Sequence, residues 1–332
     1  MRDYLPAVLV VVAFALHLAG ERRATARTGR PRGRRARRRA LAFYAGLLAI
    51  LVALTGPIDA LSGRLFWVQM IQRLLVLTVA APLIAFSRPW ISLWRPFPPW
   101  VRRPVAQAIA RSPFWAPIRW LFRALAGPPG AWLAFSINLL FWHLPGPFDL
   151  ALRDSWVHFL EYSSFLLFGI FFWTVVTGSS RAASRFSRER RIGYLGTAMV
   201  TNVGVSIFLA FAQHPLYAPY AGLARRPGGI SALADQQIGA GVMWAAGDVP
   251  FAIVLALLVH QWLAAHEATM VRLGGLPPDA TVLATGPPLD TPLAARPPRA
   301  VSLKTTAATG GHAGRRDGCS EPPTTWPADY SL

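Results

Sequence analysis

Seven apolar blocks, separated in turn by arginine-rich and arginine-poor segments, constrain this 332-residue chain more than any other feature. Each block is long enough to cross most or all of a hydrocarbon core about 30 Å thick, at a rise of about 1.5 Å per helical residue. Only 15% of the residues are charged, against about a quarter in soluble domains. We therefore predict an all-α, polytopic membrane helical bundle. The seven predicted transmembrane helices are residues 4–20, 40–57, 65–87, 129–144, 156–177, 193–213 and 238–263.

The basic residues predict the orientation of this bundle. Segments 21–39, 88–128 and 178–192 carry ten, seven and five Lys and Arg residues, and the region after residue 263 carries six, whereas the alternate segments together carry five. The positive-inside rule then places the N-terminus outside and the C-terminus inside. The net charge of +19 follows from this distribution, so we predict no nucleic-acid partner.

The same pattern divides the chain into four regions. They are a first transmembrane helix at 1–20, an Arg-rich cytoplasmic loop at 21–39, a six-helix membrane core at 40–263 and a disordered cytoplasmic tail at 264–332. Tryptophans and arginines mix within 88–128, a composition that favours binding to anionic lipids at the cytoplasmic face. The lone cysteine, Cys319, excludes an intrachain disulfide framework and any zinc or iron–sulfur site built from cysteines.

Polar side chains concentrate in the predicted outer halves of the membrane helices, whereas the inner halves are almost purely apolar. Polar groups within a bilayer are costly and are therefore functional candidates. His158 and Glu161 lie three residues apart on one helical face, which suits a metal pair or, as we favour, a mutual hydrogen bond. The predicted outer polar cluster comprises Gln69, Gln72, Arg73, His143, Asp149, His158, Glu161, Asp235, Gln236, Gln237, Met243, Trp244 and Asp248.

Arg73 and Asp248 are the two charges predicted to pair inside the membrane. The helical rise puts them about 12 Å and about 15 Å from the outer ends of their helices. Burying either charge alone costs several kcal/mol, so similar depth favours pairing. Glu161, about 8 Å deep, is the competing partner for Arg73.

Several stretches resemble the CtaG-type cytochrome c oxidase assembly proteins, seven-span bacterial membrane proteins linked to copper-centre formation. The resemblance covers about residues 40–263. It implies a non-enzymatic assembly factor of the bacterial plasma (inner) membrane that assists copper-centre formation at the outer face. Its implied partners are cytochrome c oxidase subunits or another membrane respiratory complex. The stretches are Phe-Trp-His-Leu-Pro at 141–145, His-Phe-Leu-Glu at 158–161, Pro-Leu-Tyr at 215–217, and Asp-Gln-Gln-Ile-Gly at 235–239 running into Gly-Val-Met-Trp at 241–244.

The resemblance also implies copper. The residues that would hold it are His143, His158, Met243 and Asp235. Three histidines of the family's pattern are missing, since Gln69, Arg73 and Tyr162 stand in their places. The fixed positive charge of Arg73 also disfavours a bound cation. Copper therefore stays possible but weakened.

Two other functions remain open from the sequence. A divergent paralogue that has lost the metal would act as a membrane scaffold or interaction protein. A small-solute transporter has less support, because the sequence shows neither paired half-helices nor internal inverted repeats with polar groups near the midplane.

Overall fold

The computed structural model describes residues 4–29, 33–179, 186–223 and 226–274, and these residues form helices without strands. The all-α prediction is confirmed. In the first half of the chain the helices are α1 (Leu5–Thr28), α2 (Arg34–Leu54), α3 (Pro57–Ser62), α4 (Phe66–Ser87, with a π-helical stretch at Leu75–Ala80), α5 (Trp90–Trp94), α6 (Pro99–Arg111), α7 (Ala116–Ala126) and α8 (Pro128–Trp142). They are followed by α9 (Pro145–Arg153), α10 (Ser155–Val176), α11 (Arg188–Ala210), α12 (Ala218–Ala221) and α13 (Ala232–Gly274).

Several helix ends have a clear local cause. Asp154 caps α10, where its side chain accepts hydrogen bonds from the backbone N–H groups of Trp156, at 2.7 Å, and Val157, at 3.3 Å. Helix α1 ends at Gly29, whose left-handed φ of 62° suits glycine. Prolines open α8 and α9, where their missing N–H costs no helical hydrogen bond.

Among the described residues, five helices are long and apolar enough to cross a membrane. The bent pair of α7 and α8 gives a sixth if it crosses as one unit. These five are Leu5–Thr28, Phe66–Ser87, Ser155–Val176, Arg188–Ala210 and Ala232–Glu267.

Two of the predicted spans correspond to helices that are shorter or more charged than expected. Helix α8 has 15 residues and is about 22 Å long, which is less than a hydrocarbon core of about 30 Å. It also meets α7 at a 90° bend. Helix α2 opens with the sequence Arg-Arg-Ala-Arg-Arg-Arg before its apolar part. The count of seven spans and their orientation therefore stay predictions.

Some predicted boundaries differ from the helix ends. The predicted loop 21–39 is helical at both ends, because α1 continues to Thr28 and α2 begins at Arg34. The predicted tail at 264–332 was wrong in its first residues, since α13 continues to Gly274. The remainder of that tail, including Cys319, lies outside the described residues.

The centre of the bundle is formed by α4 packed between α2 and α10. The indole N–H of Trp173 on α10 donates to the carbonyl of Leu77 in the π-helical stretch, at 2.9 Å. A Cβ on Gly169 would lie 2.9 Å from the Cβ of Ala81, so α4 and α10 approach closely there. This packing brings the N-terminal halves of α4 and α10 side by side.

Helices α4 and α13 also make a close contact, which gives a first prediction. A Cβ on Gly239 would lie 2.3 Å from a ring carbon of the buried Phe66. We expect Gly239→Leu to lower the free energy of unfolding by about 2 kcal/mol or more through overpacking. Gly241→Leu is the matched control, because a Cβ there meets nothing within 4 Å. Thermal unfolding in detergent measures both variants, and equal melting temperatures would contradict the prediction.

Candidate functional site

Two buried charges of opposite sign lie where the N-terminal halves of α4 and α10 meet. Arg73 Nη2 forms an ion pair with Glu161 Oε1, and the two side chains are 4% and 0% exposed. The predicted pair of Arg73 and Asp248 is therefore wrong. The Asp248 carboxylate instead accepts a hydrogen bond from Asn202 Nδ2 on α11, at 3.1 Å.

The guanidinium of Arg73 has two further neighbours. Its Nη1 lies 3.3 Å from Nε2 of His143, and Nδ1 of His143 lies 2.6 Å from the carbonyl of Leu139. A proton on Nδ1 satisfies that carbonyl and leaves the Nε2 lone pair to accept from Arg73. The Arg73 Cζ also lies 4.4 Å from the centroid of the Phe148 ring. A carboxylate, an imidazole and an aromatic face therefore surround this cation.

The second predicted pair, His158 and Glu161, is close but not hydrogen bonded. His158 Nδ1 lies 3.9 Å from Glu161 Oε2, beyond hydrogen-bond distance. Its Nε2 lies 4.0 Å from Oδ1 of Asp59 on α3. The side chains of His158 and Asp59 are 27% and 40% exposed, so they form the accessible edge of the Arg73–Glu161 pair.

Three of the four residues expected to hold copper are engaged elsewhere in the protein, and His158 is the exception. The Nε2 lone pair of His143 faces Arg73. Both carboxylate oxygens of Asp235 accept backbone N–H groups at the start of α4. Met243 is buried in an apolar cluster. Within the described ranges no three His, Cys, Asp or Glu residues are grouped as metal ligands. The residues around Arg73 thus do not fit a copper ion.

Amide and tyrosine side chains form a second layer beside the ion pair. Gln72 Nε2 donates to the carbonyl of Ala53 and to Asp59 Oδ1, both at 2.9 Å. The hydroxyl of Tyr162 donates to Gln72 Oε1 at 2.8 Å, and that of Tyr220 donates to Gln69 Oε1. Two of the residues that replace the family's histidines therefore serve in hydrogen bonds.

Tyr217 belongs to the Pro-Leu-Tyr stretch at 215–217 and is a site residue that was not among the predicted polar cluster. Its hydroxyl donates to the carbonyl of His143 at 3.0 Å. Its ring stacks on Phe148 at a centroid distance of 3.9 Å and on Phe66 at 5.0 Å. Burial raises the pKa of the Tyr217 hydroxyl above its usual range, so the group stays a neutral donor. The segment between α11 and α12 thereby closes over the cluster.

Asp149 lies on α9 at the edge of the same aromatic stack. The backbone of Ala218 and the side chain of Arg153 are its polar neighbours. Burial raises the pKa of the Asp149 carboxyl, and these two neighbours partly oppose that rise.

The Asp-Gln-Gln run at 235–237 joins α13 to its neighbours. Gln236 Oε1 accepts from the Leu216 N–H at 2.8 Å, and its Nε2 donates to the carbonyl of Leu209 at 3.1 Å. Gln237 Nε2 donates to the carbonyl of Ala210 at 3.2 Å. Trp244 is exposed and makes no part of this cluster. Gln236 and Gln237 thus hold the C-terminal end of α11 against the start of α13.

A family model described as cytochrome c oxidase caa3 assembly factor (Caa3_CtaG) matches residues 15–265. A Mycobacterium leprae protein described as uncharacterized is 30% identical over 125 residues, covering 38% of this chain and 19% of the relative. Uncharacterized proteins of Mycobacterium bovis and Mycobacterium tuberculosis are each 27% identical over 138 residues, covering 42% of this chain and 21% of theirs.

The matched part of this chain therefore spans about a fifth of the length of these relatives. No solved structure matches the chain. The family match covers most of the described helices and confirms the resemblance noted in the sequence. The chain belongs to the Caa3_CtaG family of cytochrome c oxidase caa3 assembly factors.

Proposed function

We propose that this protein assists copper-centre formation in cytochrome c oxidase at the outer face of the bacterial plasma membrane. It acts by holding an oxidase subunit, without enzymatic catalysis and without a copper ion on the Arg73 cluster. The observation that carries the assembly role is the match to the Caa3_CtaG family. The metal-free part is supported by the guanidinium of Arg73, which pairs with Glu161 and donates a hydrogen bond to Nε2 of His143. A resident cation with these partners leaves no lone pair of His143 for a metal.

The second candidate function is a metal-free scaffold for another membrane respiratory complex. The same Arg73–Glu161 pair favours it, because the positive charge in the cluster comes from the protein itself. A scaffold built on this pair would therefore work without copper. The two functions differ in the complex that depends on the protein.

Deletion of the gene tests both. We expect oxidase activity per membrane protein to fall, and the optical signature of its copper centre to fall with it, while other respiratory complexes keep their activity. Complementation with Met243→Leu should restore the activity, because Met243 packs in an apolar cluster and carries no metal in this proposal. Unchanged oxidase activity in the deletion strain contradicts the assembly role. Failure of Met243→Leu alone, at normal protein level, contradicts the metal-free cluster.

The segment from α5 to α7 supports a proposed contact with anionic lipids at the cytoplasmic face. Trp100, Phe114 and Trp120 are exposed there, and arginines flank them. Exposed tryptophans settle at the headgroup level, where arginine reaches lipid phosphates.

A further inference from the structure

A long cavity of about 560 Å³ lies among α1, α2, α4 and α10. Along α10 its lining runs from His158 to Ile170, which is about 18 Å of helix. The volume lies within the range of ligand sites, about 300–1,000 Å³. The cavity is thus long, with one end at the accessible edge of the Arg73–Glu161 pair.

The walls of this cavity are apolar over most of its length. Val10 on α1, Leu47 on α2, Ile84 on α4 and Leu166 on α10 all line it. Lipid chains are as apolar as these side chains, so the walls accept a hydrocarbon chain without selecting one. Selection among lipids therefore depends on the polar end.

The polar end carries both signs of charge. Asp59, Arg153 and His158 line it together. The Asp59 carboxylate is oriented by Gln72 Nε2 at 2.9 Å and keeps 40% of its side chain exposed. The nearby charge of Glu161 is already neutralised by Arg73. One accessible anion and one accessible cation thus line the same end of the cavity, together with an imidazole.

We propose that this cavity binds one phosphatidylethanolamine molecule. The ammonium group of the lipid pairs with Asp59, its phosphate binds Arg153 and His158, and one acyl chain lies along α10. An anionic lipid would offer Asp59 no cation and would place its phosphate beside that carboxylate. A neutral isoprenoid quinone would leave both charges without partners, so charge complementarity selects the zwitterion.

The test uses the full chain purified in mild detergent, with bound lipid measured by native mass spectrometry and by extraction. The probes are pure phosphatidylethanolamine and pure phosphatidylglycerol, each added back to delipidated protein. We expect about one phosphatidylethanolamine per protein, and the Asp59→Asn/Arg153→Gln double variant should bind it about tenfold more weakly because two charged contacts are lost. A double variant that binds like the wild type would overturn the proposal.

A pair of variants on α1 tests the apolar part of the cavity. Val10→Trp fills the cavity, whereas Val11→Trp is the matched control, because Val11 is 63% exposed and does not line it. We expect phosphatidylethanolamine to be lost only in the Val10 variant, while lipid held by the segment from α6 to α7, which does not line the cavity, is unchanged. Loss of phosphatidylglycerol or of an isoprenoid quinone in its place, or no retained lipid in the wild type, contradicts the proposal.

Size-exclusion profiles and melting temperatures show whether each variant is folded. If the Val10 variant aggregates, the Asp59→Asn/Arg153→Gln variant decides the question, since both of its positions lie at the polar edge. None of these measurements reads oxidase activity, so their outcome is independent of the proposed assembly role.

Discussion

Replacing Arg73 with methionine is expected to lower the free energy of unfolding by about 3–5 kcal/mol, because it leaves the Glu161 charge buried and unpaired. Glu161 is 0% exposed, so water cannot take over the role of the guanidinium. His143 Nε2 and the Phe148 ring would lose their contacts with the cation as well. Thermal or denaturant unfolding in detergent measures the change.

The control for this loss is Arg64→Met, since Arg64 is exposed. We expect that variant to melt close to the wild type. The double variant Arg73→Met/Glu161→Leu should recover most of the lost stability, because apolar residues of similar size often replace a buried ion pair at little cost. Equal melting temperatures for the Arg73 and Arg64 variants would show that the ion pair adds nothing to stability.

The choice between Glu161 and Asp248 as the partner of Arg73 shows what helix depth can and cannot predict. Counting residues from a helix end gives the position along the membrane normal at about 1.5 Å per residue. It does not give the direction in which the side chain points across the bundle. Asp248 has a suitable depth but lies beside Asn202, so a pair chosen on depth alone was wrong.

Helix ends were predicted less well than helix positions, for a related reason. Hydropathy detects where the apolar stretch ends, whereas a helix continues for as long as its backbone hydrogen bonds are favourable. Helix α13 therefore passes residue 264, where the apolar pattern stops, and reaches Gly274. The 90° bend between α7 and α8 occurs at Gly127-Pro128-Pro129, where the prolines interrupt the helix. The sequence predicts this helix end, but it does not predict the angle between the two helices.

The polar cluster itself was identified from residue type and depth, but its internal partners were not. Tyr220 is 151 residues away in sequence from its partner Gln69, and Tyr217 is 74 residues away from its partner His143. Contacts over such separations depend on the assembled bundle. The resemblance of the Pro-Leu-Tyr stretch at 215–217 to the family was the only signal for Tyr217 in the sequence.

Replacing Asp235 with alanine is expected to lower the free energy of unfolding by about 3 kcal/mol, since the carboxylate accepts two backbone hydrogen bonds at a helix N-terminus. Its oxygens lie 2.9 Å from the N–H of Phe66 and 3.1 Å from that of Trp67. No residue beside Phe66 caps α4 through its own side chain, so this contact from α13 replaces a local cap.

The start of α4 also positions Gln69, Gln72 and Arg73, so the loss should extend to the polar cluster. We expect faster hydrogen exchange at the first amides of α4 in Asp235→Ala and a smaller effect in Asp235→Asn, which keeps an acceptor oxygen but not the charge. Gln237→Ala is the matched control, because its exposed amide makes one hydrogen bond to the carbonyl of Ala210. If the alanine variants at 235 and 237 melted and exchanged alike, α4 would hold its first turn without Asp235, and the cluster would depend on the Arg73–Glu161 pair alone.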